Sequence, residues 1–310
     1  MTKPGLLPAL LLTGCVDYGV TRHVEQESWV QPSREQGVDV LWVIDDSASM
    51  YEEQVQLAAH AVSFVSYLST VAVDFRLGIV TTDMDGEAAG QIMGQELDPD
   101  TPLLSDRFAE LTVLGGEGSR DERGFDAALA AFDPAQGGFG RPEADMEVVF
   151  FTDEDDHSDL DAAAFVDALQ ALRPDAALGV NAIVGDLPEG CASLLAAADP
   201  GARYVEAQAL TGGLRESICA ADYDGMLRRV ALKVLGMENR FALRALPELS
   251  SMEVAVDGVI IHPRERHGWT YDAGYNMLVL DGYAVPPPGS ELTARYYEWA
   301  GTGSLEDTGL

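Results

Sequence analysis

The stretch VDVLWVIDDSAS at residues 38–49 decides the fold class. Its first seven residues form a near-continuous apolar run with β-branched side chains, which is typical of a strand buried on both faces of a parallel sheet. Apolar residues between positions 57 and 68 then recur at helical spacing, and Glu52 and Glu53 suit a helix N-terminus. The stretch therefore predicts a buried strand, a short polar loop and an amphipathic helix.

The same alternation continues as far as residue 237 and predicts a doubly wound, mostly parallel α/β sheet of the Rossmann-like class. In such a sheet, ligands bind at the carboxyl ends of the strands. The further strands are predicted at Phe75–Thr81, Glu147–Phe151, Leu178–Val184 and Arg203–Ala207, and the helices at Phe125–Phe132, Asp161–Leu172 and Tyr223–Leu235.

The pattern changes after Glu238, and residues 238–299 are predicted to form a small all-β module. Apolar residues alternate from Met252 to Val256, and the pair Asp257-Gly258 is typical of a two-residue hairpin turn. The module either folds independently or packs on the α/β domain. The Gly-rich, acidic residues 300–310 are predicted to be a disordered tail.

The N-terminus resembles a bacterial lipoprotein leader. Lys3 precedes an apolar run at residues 6–12, and Leu12-Thr13-Gly14-Cys15 resembles a lipobox, in which the chain is cut before a cysteine that is then lipidated. The alternatives are an ordinary signal peptide and a chance apolar start. The lipoprotein interpretation gives a signal peptide at residues 1–14, lipidation at Cys15 and a tether over residues 15–36, with the protein anchored in the bacterial cell envelope.

The cysteine count agrees with export. If Cys15 carries lipid, Cys191 and Cys219 remain as an even pair in an oxidising compartment. A disulfide between them would close a loop of about 28 residues and stabilise the fold by about 3–4 kcal/mol. Two ordinary buried thiols are the alternative.

The charge balance excludes several classes of partner. The chain of 310 residues carries 52 acidic and 19 basic side chains, for a net charge of −33. Nucleic acid and anionic membrane surfaces would be repelled, because their binding depends on Lys and Arg. Membrane contact is therefore expected only through the lipid anchor, while cations and basic partners are favoured.

Polar residues follow the predicted strands where a sheet of this class binds ligands. Asp45, Ser47 and Ser49 come directly after the first strand, and Asp153 follows the third apolar run. The Asp-x-Ser-x-Ser pattern resembles the metal-ion-dependent adhesion site of von Willebrand A and integrin inserted domains, and the likeness covers roughly residues 37–237. In that family a threonine in a later loop and an aspartate after a later strand complete the site, and the resemblance implies that Ser119 and Asp153 take their places.

The resemblance implies one divalent cation, with Mg²⁺ expected and Ca²⁺ or Mn²⁺ as alternatives. Serine hydroxyls supply neutral oxygens, so the ion keeps an open coordination position. In the family a carboxylate of a binding partner fills this position, and the resemblance therefore implies a protein or glycan partner with an exposed carboxylate. The other acidic residues nearby could form a second Ca²⁺ site or repel anionic ligands and so select basic ones, but a solvated acidic rim is favoured here. They are Asp46, Asp83, Asp85, Glu154, Asp155, Asp156 and Asp159.

The sequence favours binding over catalysis. Ser47 lacks the Gly-x-Ser-x-Gly setting of a hydrolase nucleophile, and an enzymatic role would require His157 as a base. His262 and His267 bracket a predicted hairpin loop. We therefore expect a cation-dependent adhesion protein of the envelope that is not an enzyme. The alternative is a structural envelope component whose β-module aromatics make the contacts, namely Trp269, Tyr271, Tyr296, Tyr297 and Trp299.

Overall fold

The computed structural model of the protein describes residues 22–34, 36–70, 73–193 and 197–299. The strands are β1 (Val24–Val30), β2 (Val38–Ile44), β3 (Phe75–Thr81), β4 (Asp145–Phe151), β5 (Leu178–Val184), β6 (Cys191–Ala192), β7 (Ala197–Ala198), β8 (Arg215–Ser217), β9 (Arg240–Ala242), β10 (Glu253–Val256), β11 (Val259–Ile261), β12 (Trp269–Asp272), β13 (Met277–Leu280) and β14 (Glu291–Tyr297). The helices are α1 (Tyr51–Ala59), α2 (Ala61–Thr70), α3 (Leu104–Thr112), α4 (Gly124–Phe132), α5 (Ala162–Leu172), α6 (Ala202–Thr211) and α7 (Tyr223–Val234).

A five-stranded parallel sheet forms the centre of the α/β domain, in the order β3-β2-β4-β5-β8. Strand β2 lies between β3 and β4, so the chain leaves β2 in one direction and later returns on its other side. The crevice for a ligand is expected at this reversal of strand order, outside the carboxyl ends of the strands. The predicted doubly wound α/β class is confirmed.

Alternate side chains of β2 enter two separate cores, because successive residues of a strand point to opposite faces. Trp42 lies on one face, with its ring centroid 5.1 Å from that of Phe64 and 5.5 Å from that of Phe108. Leu41 and Val43 join the core of the other face. Both faces of the sheet are therefore covered by helices, as the continuous apolar run of β2 predicts.

The C-terminal part consists of antiparallel strands that pack on the α/β domain. One sheet has the order β1-β14-β10-β11 and a second the order β12-β13-β9. Val254, Leu278 and Leu292 are fully buried in the same continuous core as Val230 of α7. The structure therefore agrees with the second of the two expectations, that the module packs on the α/β domain.

Two predicted elements are wrong. Residues 24–30, expected in a tether, form the edge strand β1, which pairs with β14 along its whole length. Most residues of β1 stay solvent-exposed, so its apolar signal is weak, while inward-facing Glu27 accepts a hydrogen bond from the Tyr296 hydroxyl at 2.5 Å.

Residues 203–207, expected as a strand, belong to α6, because Tyr204 and Ala207 are buried at helical spacing. The fifth strand of the parallel sheet is β8.

The disulfide Cys191–Cys219 is present. Cys219 follows the carboxyl end of β8, so the bond ties the loop after β5 to the same edge of the sheet. No helix among the described residues is long and apolar enough to cross a membrane. The predicted signal peptide, Cys15 and the tail at residues 300–310 lie outside the described residues.

Candidate functional site

Two loops meet at the carboxyl ends of β2 and β4. These strands are parallel neighbours with Ile44 opposite Phe151, and the backbone N–H of Asp45 donates to the Phe151 carbonyl at 3.0 Å. The chain after Asp45 turns through a short 3₁₀ segment, Ala48–Met50, whose Met50 side chain is fully buried. The sheet register and this apolar anchor together hold residues 45–49 beside Thr152 and Asp153.

Asp45 is buried and has both carboxylate oxygens occupied. The Ser47 N–H donates to its Oδ1 at 2.8 Å, and the Thr152 hydroxyl donates to its Oδ2 at 2.6 Å. Burial without these bonds would be costly for a charged group. Thr152 therefore orients Asp45, although sequence analysis did not single it out as a site residue.

The side-chain oxygens of Ser47, Ser49 and Asp153 form a chain of short contacts. The Ser47 and Ser49 hydroxyls are 3.0 Å apart, and the Ser49 hydroxyl donates to Asp153 Oδ1 at 3.4 Å. Ser47 and Asp153 are buried, whereas Ser49 is exposed. The cluster therefore opens to solvent on the Ser49 side, where an incoming group can reach it.

Ser119 makes no such contact within the described residues. Its hydroxyl accepts a hydrogen bond from the Asp121 N–H at 3.0 Å. Its neighbour Gly118 is closer to the site, because the Gly118 N–H donates to the Asp46 carbonyl at 3.0 Å. A Cβ on Gly118 would lie 2.3 Å from Asp46 Oδ1, so glycine allows this close approach. Four of the five predicted site residues are thus brought together, and Ser119 lies in the adjoining loop.

Glu122 belongs to the same region and was missed. Its side chain is fully buried, its Oε2 accepts a hydrogen bond from the Thr82 hydroxyl, and its Oε1 has no hydrogen-bond partner among the described residues. Burial, followed by the charge of Asp45, raises the pKa of Glu122 to about 8. Charged residues in a loop are usually solvated, so the local sequence gives no signal for this burial.

Two further carboxyl groups have raised pKa values for the same reasons, burial and a neighbouring negative charge. Burial and then the charge of Asp45 raise the pKa of Asp153 to about 7. Burial and then the charge of Asp83 raise the pKa of Asp46 to about 6. Groups that resist ionisation because of burial and like charge are typical of functional sites, and a bound cation would reverse the effect.

Several of the other nearby acids have structural roles. Asp156 accepts from the Phe125 N–H at the start of α4, and Asp155 accepts from the Arg203 N–H at the start of α6. Asp85 is exposed and pairs with Arg123 at 2.7 Å. These three carboxylates therefore have partners within the chain. Asp155 and Asp156 stabilise the starts of α6 and α4, and Asp85 stays exposed to solvent.

The two histidines His157 and His267 contact Asp121 and Tyr283. His157 is half-exposed, and its Nδ1 lies 3.2 Å from Asp121 Oδ1. His267 stacks on Tyr283 with ring centroids 4.6 Å apart, and its Nδ1 accepts from the Tyr283 N–H at 3.3 Å. Neither contact involves a serine or cysteine nucleophile.

Comparison of the sequence with protein-family models and with curated proteins finds no match. Among solved structures, the open conformation of the pilus adhesin SpaC from Lactobacillus rhamnosus GG matches with a TM-score of 0.50 and 9% identity, over 88% of this chain and 40% of that one. Proximal thread matrix protein 1 from the mussel byssus has a TM-score of 0.44 and 13% identity, over 70% and 51%. A von Willebrand factor type A protein from Catenulispora acidiphila has a TM-score of 0.42 and 14% identity, over 89% and 65%.

The chain thus spans less than two thirds of the length of each of these three proteins. At 9% identity, the likeness to the pilus adhesin concerns the fold alone.

Proposed function

We propose that this chain is an exported binding protein that holds one divalent cation at Asp45, Ser47, Ser49, Ser119 and Asp153 and uses it to engage a carboxylate of a partner. The observation that carries this proposal is the convergence of two serine hydroxyls and two buried carboxylates at the carboxyl ends of β2 and β4. Mg²⁺, Ca²⁺ and Mn²⁺ all accept such oxygen ligands.

The donor set fits a small octahedral ion. Neighbouring ligands of Mg²⁺, each at about 2.1 Å from the ion, lie about 3.0 Å from one another. The Ser47 and Ser49 hydroxyls have this separation, at 3.0 Å. The Ser119 hydroxyl can join while it accepts from the Asp121 N–H, because a hydroxyl oxygen has two lone pairs.

Each residue has a distinct task in this proposal. Ser47 and Ser49 donate neutral oxygens, and Asp45 and Asp153 supply compensating charge directly or through water. Thr152 keeps Asp45 in position through its hydroxyl. A bound cation would supply an open coordination position for the carboxylate of a partner, on the exposed Ser49 side.

The chain's own charge restricts the partner. A net charge of −33 repels strongly acidic molecules at a distance, while the cation site would attract a single carboxylate at contact. We therefore expect a protein or glycan that is neutral or basic overall and exposes a carboxylate locally. Nucleic acid is not an expected partner, for the same electrostatic reason.

The same proposal includes export and anchoring by lipid at Cys15, in the bacterial cell envelope. The disulfide Cys191–Cys219 supports an oxidising compartment, since such bonds are rare in the cytosol. Export would expose the cation site to partners outside the cytoplasm.

The alternative structural role receives less support from the β-module aromatics. Trp269 and Tyr296 are 6% and 1% exposed, so they belong to the core, and Tyr271 and Tyr297 are half-buried. Trp299 alone of these five is exposed, at 55%. We likewise propose no catalytic role, since His157 contacts Asp121 rather than a nucleophile.

The test is a calorimetric titration of the purified protein with Mg²⁺, Ca²⁺ and Mn²⁺. We expect saturable binding at one site, weakened by roughly tenfold or more in Asp45→Ala and Ser47→Ala, since loss of a ligand or its support typically costs at least that much. Circular dichroism of each variant checks that the fold is intact.

Asp159→Ala is the matched control. Asp159 is an exposed acid of the same rim, so its removal lowers the local negative charge without removing a proposed ligand. Cation affinity should be nearly unchanged in this variant. Absence of saturable binding by the unaltered protein, or an equal loss in Asp159→Ala and Asp45→Ala, would contradict the proposal.

A further inference from the structure

A cavity of about 300 Å³ lies between helices α2 and α7 and the C-terminal β module. Its wall includes Ser63 and Ser66 of α2, Arg228 of α7, and Arg266 and Tyr283 of the β module. The proposed cation ligands are not part of this wall. Cavities of this volume lie at the lower end of the range that takes small organic ligands.

The charge of the cavity wall is opposite in sign to that of the chain. Arg228 and Arg266 line it together with one carboxylate, Asp281, whereas the chain as a whole has 52 acidic and 19 basic residues. Two guanidinium groups beside one cavity in such an acidic protein indicate a preference for an anion.

Neither arginine is fully satisfied by the protein. Arg228 forms an ion pair with Asp281, but its Nε lies 3.6 Å from Asp281 Oδ1, too far for a hydrogen bond, and has no other hydrogen-bond partner in the described part of the chain. Arg266 is exposed and has no ion pair among the described residues. Both arginines line the cavity and make no side-chain hydrogen bond within the described residues, so their guanidinium groups have donors left for an acceptor supplied by a ligand.

His267 also lines the cavity. Its Nδ1 accepts from the Tyr283 N–H at 3.3 Å, and its Nε2 has no hydrogen bond within the described residues. The wall therefore combines guanidinium and imidazole groups with the Ser66 hydroxyl, whereas the Ser63 hydroxyl already donates to Asp224 at 2.6 Å. Donors of these kinds are typical of sites that bind carboxylates.

The remaining wall is apolar and aromatic. Met237 and Val285 are 7% and 6% exposed, and Tyr283 is 82% exposed although its ring stacks on His267 at 4.6 Å. An exposed aromatic face beside buried aliphatic side chains offers a stacking surface for a flat ligand. The anion expected here thus carries a ring.

We propose that this cavity binds a small aromatic carboxylate, with the carboxylate held by Arg266 and Arg228 and the ring packed on Tyr283. This site is independent of the proposed cation site and takes its ligand through arginine donors. It would give the protein a second ligand of a different class, bound where the α/β domain meets the β module.

The experiment is a ligand-detected NMR titration of the metal-free protein with phenylacetate, up to millimolar concentration. Metal-free protein is used so that a carboxylate has no cation to bind at the other site. Phenylacetamide has the same shape without the charge, and acetate has the charge without the ring. We expect saturable binding of phenylacetate and affinities roughly tenfold or more weaker for the other two probes.

Two arginine variants in one loop separate specific binding from general attraction. Arg266→Gln should weaken phenylacetate binding roughly tenfold, because a charge-assisted hydrogen bond is lost. Arg264→Gln removes the same charge from an exposed residue two positions away that does not line the cavity, and it should change the affinity less than about twofold. Tyr283→Ala, at a largely exposed side chain, should weaken binding of phenylacetate but not of acetate.

The proposal is overturned by any of three results. The first is the absence of saturable phenylacetate binding, and the second is equal binding of phenylacetamide. The third is an equal effect of Arg264→Gln and Arg266→Gln, since a specific contact requires the two to differ. The circular dichroism spectrum and melting temperature of each variant confirm that the fold is retained.

Discussion

Gln54 of α1 connects the loop after β2 to the loop that contains Ser119. Its side-chain nitrogen donates to the Asp45 carbonyl at 2.8 Å and to the Gly115 carbonyl at 3.0 Å. Its side-chain oxygen accepts from the N–H groups of Leu114 at 2.8 Å and Gly115 at 3.0 Å. The amide side chain is fully buried, and it uses both its donors and its acceptor on backbone groups of the two loops.

Replacing Gln54 by leucine would remove all four hydrogen bonds while keeping a side chain of similar length and helix propensity. Each such bond contributes about 0.5–1.5 kcal/mol, and a buried group left unpaired costs about 1–3 kcal/mol. One of the four bonds is fully buried and three are half-buried, so water can replace some of them. We expect the free energy of unfolding to fall by about 2–4 kcal/mol.

Urea unfolding followed by circular dichroism measures this loss, with Gln56→Leu as the matched control. Gln56 lies two residues further along α1, is half-buried and makes no side-chain hydrogen bond within the described residues. Gln56→Leu should stay within about 0.5 kcal/mol of the unaltered protein. If the two variants lose equal stability, the four hydrogen bonds of Gln54 do not hold the two loops together.

Three other predictions concern charge, the disulfide and the core. Folding raises the pKa of Asp153 to about 7 and of Glu122 to about 8, so the metal-free folded state binds these protons more tightly than the unfolded chain does. The contribution of both groups to stability is therefore greatest below pH 4 and is lost as pH rises through 7 and 8. Urea midpoints at pH 6 and pH 8.5 measure this loss of stability, and Glu122→Gln should make the loss smaller. Reducing Cys191–Cys219 should lower the free energy of unfolding by about 3–4 kcal/mol in the chain-entropy model, and an unchanged urea midpoint would contradict this. Phe125→Ala should lower the free energy of unfolding by about 3–5 kcal/mol in the same assay, because the ring is fully buried and stacks on Phe165 with centroids 4.1 Å apart. A decrease below about 1 kcal/mol would show that the core collapses to fill the space.

The parallel strands were predictable because their signal is local. The strands at residues 38–44, 75–81 and 178–184 have the predicted bounds, since a strand buried on both faces needs an unbroken apolar run. The hairpin at Asp257-Gly258 joins β10 to β11 as expected, and Asp257 has a positive φ of 48° that suits such a turn.

The wrong elements have weak or ambiguous local patterns. β1 is an edge strand with one buried residue, Glu27, so its composition resembles a polar tether. The segment 203–207 is too short to show a clear period, but it belongs to a ten-residue helix that packs against the helix α5 and the strand β5. Neighbours that are distant in sequence decided both outcomes.

Local sequence patterns were sufficient to predict the alternation of strands and helices, the all-β character of the C-terminal region, and the Asp-x-Ser-x-Ser loop after the first buried strand. These features depend on periods of two and about four residues, which can be seen within one segment. The tertiary structure alone decided that Thr152 orients Asp45, that Glu122 is buried beside them, and that Arg228 and Arg266 line one cavity. Burial and charge interaction depend on distances in space, and residues far apart in the chain set those distances only when the sheet and the module have packed.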